Sequence, residues 1–115
     1  MLTHCTFTGN RAGTQGGAVF SKDDANIVNC TFDSNTAAQG GGIYQADNKM
    51  TILSANMIKN KAKSSDDLQG NGGAIYVEDG DTFIEGGNIT ENSAQLYGGG
   101  IFADHRCFGI HGFQR

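Results

Sequence analysis

Large apolar residues recur along this chain at a spacing near 25 residues rather than at the 3.6 of an amphipathic helix. Leu2, Ile27, Ile52 and Ile84 each open a nine-residue segment that closes on Asn10, Asn35, Asn60 and Asn92, and the four segments align without a gap. Their starts are 25, 25 and 32 residues apart. Inside each segment apolar and polar residues alternate, with Thr, Cys and Phe prominent, which predicts short strands. Side chains two apart on a strand share a face. Leu2, Ile27, Ile52 and Ile84 are therefore expected to point inward, as are Phe7, Phe32, Met57 and Ile89. Cys5, Cys30, Ala55 and Gly87 form a small column on that same face, which leaves room for the large residue two places on.

A second motif follows each segment: Gly16-Gly17-Ala18-Val19-Phe20, Gly40-Gly41-Gly42-Ile43-Tyr44, Gly72-Gly73-Ala74-Ile75-Tyr76 and Gly98-Gly99-Gly100-Ile101-Phe102. Val19, Ile43, Ile75 and Ile101 make a third inward column. Ala12, Ala37, Ala62 and Ala94 make a second small one. The distance from the column asparagine to the column Val/Ile is nine, eight, fifteen and nine residues. The extra residues of the third repeat, about 63–71, are polar and predict a corner insertion, a place where solenoids tolerate loops.

Repeats of this length without helix-sized segments exclude ankyrin and tetratricopeptide arrays, and the motif is not that of leucine-rich repeats. A β-solenoid remains, in which each turn hydrogen-bonds to the next at ~4.8 Å and like residues stack on like. The expected organisation is all-β, a single domain over 1–115, with turns 2–26, 27–51, 52–83 and 84–109 and a partial fifth turn at 110–115.

Composition narrows the functional classes. The 18 glycines sit at fixed repeat positions rather than in low-complexity tracts. A net charge of −4 argues against nucleic acid as a partner. No apolar run approaches the ~18 residues of a membrane span, and residues 1–14 lack the apolar core of a secretory signal.

Four sets of residues could carry chemistry. Asn10, Asn35, Asn60 and Asn92 are expected to form a structural ladder, because asparagine tolerates positive-φ bends and stacked amides can pair along the axis. The paired glycines mark tight corners or close approach between turns; neither GxxxxGK[ST] nor a helix-opening GxGxxG is present to suggest phosphate binding. Asp23, Asp47, Asp79 and Asp104 line one corner, as turn formers or as oxygen ligands for Ca²⁺. Phe20, Tyr44, Tyr76 and Phe102 lie next to an inward column, so they are expected to face at least partly outward as a stiffening row or a contact surface.

The remaining signals are weaker. Cys5 and Cys30 share a column, as reduced core residues or as a bridge. His4, His105 and His111 lack ligand spacing. The sequons at Asn29-Cys30-Thr31 and Asn88-Ile89-Thr90 are expected to lie within stacked strand. No cofactor is expected, and no catalytic residue stands out. Asp79 and Asp81 are the nearest approach to a hydrolytic carboxylate pair, without a feature that would bury one of them.

The alternation of Phe7-Thr8-Gly9-Asn10 with Gly16-Gly17-Ala18-Val19, recurring as Phe32-Asp33-Ser34-Asn35 with Gly41-Gly42-Ile43, resembles the FxxN and GGA[ILV] repeats of polymorphic outer membrane proteins. Asn60 with Gly72-Gly73-Ala74-Ile75 and Asn92 with Gly98-Gly99-Gly100-Ile101 continue it, with Met57 and Ile89 in place of phenylalanine. The resemblance covers roughly residues 2–102. It implies a right-handed parallel β-helix and a cell-surface, outer-membrane or secreted setting, as in an autotransporter passenger. It also implies a non-catalytic stalk or adhesin-like role toward a host-cell or matrix protein or a polysaccharide. The family's export signal and membrane barrel are missing here, so a segment of a longer solenoid is expected, with ends able to stack. A pectate-lyase-like enzyme or polysaccharide-binding module is the alternative that the same architecture offers.

Overall fold

A computed structural model describes residues 2–63, 70–96, 98–103 and 107–108, with 102, 103, 107 and 108 placed by backbone alone. Alternating short strands with glycine bends gives each coil three strand regions, and every inter-strand pairing is parallel. The longest sheet stacks Leu2–Thr3, Ala25–Val28, Lys49–Ile58, Gly80–Thr90 and Cys107–Phe108, with Thr6–Thr8 and Thr31–Asp33 extending its first two coils. A second sheet stacks Val19–Ser21, Ile43–Gln45, Ile75–Val77 and Ile101–Ala103. A third stacks Thr36–Ala37, Lys61–Ala62 and Ser93–Ala94. This is a parallel β-helix.

Register follows the sequence columns. Leu2 pairs with Ile27, Ile27 with Ile52 and Ile52 with Ile84. Phe7 pairs with Phe32, Phe32 with Met57 and Met57 with Ile89. The core is the sum of these files: Ile27, Phe32, Ile43, Met57 and Ile75 are fully buried, and the Phe7 and Phe32 rings stack at 4.9 Å. The insertion about 63–71 retains Gly70 and Asn71, the latter bridged to Gln39; its residues 64–69 lie outside the described part, as does the partial fifth turn 110–115.

Three left-handed positions recur in every coil. His4, Asn29, Ser54 and Gly86 have φ of 55°, 54°, 57° and 73°. Gly9, Ser34, Lys59 and Glu91 follow at 66°, 61°, 57° and 57°. Gly16, Gly40, Gly72 and Gly98 complete the set at 66° to 72°. Two expectations are corrected here. The ladder asparagines are not themselves the bend residues; the position before each takes the positive φ, which frees the asparagine side chain to turn inward. Asn29 is likewise an exposed corner residue rather than part of a strand.

The close approach expected of the glycines is present. A Cβ on Gly41 would lie 2.3 Å from Gly73 O and 2.5 Å from Lys61 O, and one on Gly17 would lie 2.1 Å from Gly41 O. Backbone packs on backbone there, because no side chain fits between the glycine row and the third sheet.

Candidate interaction surface

The asparagine column forms a continuous amide ladder. Nδ2 of Asn10, Asn35 and Asn60 donates to Oδ1 of the asparagine one coil on, each at 3.0 Å. The main-chain N–H of the same three residues donates to the same oxygens at 2.9, 3.0 and 2.8 Å. The second Nδ2 hydrogen reaches back one coil: Asn35 to Phe7 O, Asn60 to Phe32 O and Asn92 to Met57 O. Buried amides demand partners, and at the buried Asn35 and Asn60 both amide hydrogens and the amide oxygen are engaged within the stack. At Asn35 and Asn60 the column supports the helix from inside and presents nothing to a ligand.

The acidic corner closes turns in the main chain. Asp47 Oδ1 accepts from Asn48 N–H at 2.7 Å, and Asp79 Oδ1 accepts from Gly80 N–H at 2.7 Å. Asp23 lies beside Asn48 Nδ2 at 3.5 Å and accepts at its main-chain oxygen from Ser21 Oγ at 2.8 Å. Asp24 Oδ1 takes Lys49 N–H of the next coil at 3.0 Å. Asp47 and Asp79 thus close their own turns, and Asp24 ties its coil to the next. Among the described residues no group of three or more His, Cys, Asp or Glu side chains is placed to hold a metal ion; Asp104 lies outside them. Asp79 is half-buried and Asp81 exposed, and the main-chain oxygen of Asp81 serves Gln45.

Sequence patterning missed what lies behind this corner. Gln45 and Thr82 are fully buried. Gln45 Nε2 donates to Asn48 O at 2.8 Å and Asp81 O at 3.0 Å, while the Thr82 hydroxyl donates to Gln45 Oε1. This polar knot ties the second coil to the third across the turn. Gln45 shares its column with Ser21, Val77 and Ala103, so no repeated residue type announces it.

The aromatic row stacks in file: Phe20 on Tyr44 at 5.3 Å and Tyr44 on Tyr76 at 4.8 Å, with nearly parallel rings. Among the described side chains its expected outward exposure is found at Phe20, 45% exposed, whereas Tyr44 and Tyr76 are 3% and 6% exposed. Each tyrosine presses a ring face against its neighbour, and the Tyr44 hydroxyl donates to Glu78. The tyrosines stiffen the sheet rather than offer a platform. Phe102 pairs in register with Tyr76 through its backbone; its side chain lies outside the described part.

What the coil does present is the outer side of the long sheet. Thr6, Thr31, Asn56 and Asn88 line up across it, and Asn88 Nδ2 donates to Asn56 Oδ1 at 3.2 Å. Thr3, Val28, Leu53 and Glu85 run on one side of that file, and Thr8, Asp33, Ile58 and Thr90 on the other. The strands of the third sheet flank a separate open depression of about 310 Å³, lined by Lys61, Lys63, Ser93 and Gln95 among others.

A family model for the right handed beta helix region matches residues 1–111. Comparison with curated proteins and with solved structures returns no match.

Proposed function

The chain belongs to the right-handed β-helix family, and from that premise we propose that it is a non-catalytic segment of a surface or secreted protein, a rigid stalk with an interaction face. The observation that carries the reading is how the repeat is used. Asn35, Asn60, Gly41, Asp47 and Asp79 are bonded or packed within the stack, while the long sheet displays a mixed Thr/Asn/aliphatic face in register over four coils. Parallel pairing along the whole length resists bending, as a spacer requires. A polar face edged by Val28, Leu53 and Ile58 suits contact with a protein or a polysaccharide.

The FxxN and GG-aliphatic repeats support placement among polymorphic outer membrane protein-type β-helices, and with it an outer-membrane, cell-surface or extracellular location. The test is adhesion of beads carrying the chain to cultured cells, matrix proteins and acidic polysaccharides, with a parallel assay for depolymerisation of pectin and alginate. Adhesion lost on replacing Thr31 and Asn56 by glutamate, with folding intact, is the expected result. Release of oligosaccharides would instead make the chain a carbohydrate-active enzyme. Failure to adhere to any of these surfaces would remove the interaction face and leave only the stalk.

A further inference from the structure

The small inward column carries cysteine in its first two coils only, Cys5 and Cys30, before giving way to Ala55 and Gly87. Bonds on either side hold the two cysteines opposite one another: His4 N–H to Val28 O at 3.0 Å and Thr31 N–H to Cys5 O at 2.9 Å, with Thr6 and Thr31 in register. One ladder step, ~4.8 Å, separates such positions, within the ~4.4 to 6.8 Å between Cα atoms that a disulfide spans. The Cys30 sulfur lies between the coils, 3.4 Å from Val28 O of its own coil and in reach of the first. It receives the Cys5 N–H at 3.5 Å and lies 3.5 Å from Leu2 O. The Cys5 thiol is turned to Thr3 O at 3.4 Å. Both are free thiols, Cys30 buried and Cys5 half-buried.

We propose that Cys5 and Cys30 are a redox latch that closes as a disulfide between the first and second coils. The co-reactant is a small disulfide such as oxidised glutathione. The more accessible Cys5 loses its proton and its thiolate attacks the small disulfide, forming a mixed disulfide and releasing one thiol. The Cys30 thiolate, its proton lost, then attacks the Cys5 sulfur and expels the second thiol. One S–S bond is broken in the oxidant and one forms in the protein; the two electrons leave with the two small thiols. The first coil then gains a covalent tie to the second in addition to its ladder bonds, closing a 25-residue loop.

The test uses the whole chain with Cys107 replaced by serine, so that only the two column thiols report. It is equilibrated in glutathione buffers of rising oxidised fraction, quenched in acid, alkylated under denaturing conditions and weighed. The expected product is about 2 Da lighter, takes up no alkylating agent and yields a peptide cross-linked Cys5 to Cys30. Amide exchange over Thr6–Thr8 is expected to slow roughly tenfold in the oxidised form. Cys30→Ser is expected to stop at a glutathione adduct on Cys5 without that slowing. Alkylation of both thiols at every buffer ratio, or adducts in place of the cross-link in the parent chain, would overturn the latch; the mass readout holds whether or not the serine variant folds.

Discussion

Asn35 and Asn60 are joined twice through one oxygen: the main-chain N–H and the side-chain amide of Asn35 both donate to Asn60 Oδ1 at 3.0 Å, and both residues are fully buried. Asn60 passes the pattern on, donating to Phe32 O and Asn92 Oδ1. Its side chain therefore satisfies groups in two neighbouring coils. Asn60→Ala leaves these buried partners unpaired and is expected to cost at least ~3 kcal/mol. Asn10→Ala, at an exposed rung, is expected to cost less than ~1 kcal/mol. Urea unfolding of the two variants checks this; equal losses would show that the ladder does not depend on burial.

Three glycines separate conformational need from lack of space. Gly13 has ordinary φ and open surroundings, so Gly13→Ala is expected to be neutral within ~0.5 kcal/mol. Gly9 has open space but a φ of 66°, and alanine there is expected to cost ~1 kcal/mol. Gly41→Ala drives a methyl into two backbone carbonyls and is expected to cost more than ~3 kcal/mol or to prevent folding. Thermal midpoints in that order test the backbone contact at the glycine corner.

The Gln45–Thr82 pair predicts coupled losses. Thr82→Val keeps the shape and removes the donor to Gln45 Oε1, for ~1 to 3 kcal/mol. Gln45→Leu removes the Nε2 donor from Asp81 O and from Asn48 O, which keeps the Asp81 N–H at 3.0 Å, with a similar loss. In a double-mutant cycle the combined variant is expected to lose less than the sum, because one bond is counted in both singles. Strict additivity would mean that the two side chains do not interact.

Asp47 and Asp79 each cap the next main-chain N–H. Alanine at either is expected to cost ~1 kcal/mol, and millimolar calcium is expected to leave the melting midpoint of the parent chain unchanged. A rise with calcium, abolished by Asp47→Ala, would reassign this corner to cation binding.

Much of the stack was legible because a coil repeats its own environment. Ile27 sits between Leu2 and Ile52, so each must suit a place of the same shape, and the aligned residue types report which way they point. The asparagine file was legible for the same reason, since an amide serves the residue above and the residue below alike. The bends were less so: Ser34, Lys59 and Glu91 take positive φ without any shared chemistry, because the fold imposes that conformation from outside.

The period, the inward files and the pairing register can all be read along the chain, since they follow from which residues recur at equal intervals. Tertiary structure alone decided what recurrence does not encode. The tyrosines at 44 and 76 became buried though they flank an inward column, the carboxylates at 47 and 79 turned to their own backbone, and a glutamine and a threonine met inside the core. The glutamine and the threonine meet once, at one height of the stack, and the two carboxylates turn to the residue that follows each; neither contact recurs in every coil, so no repeat records it.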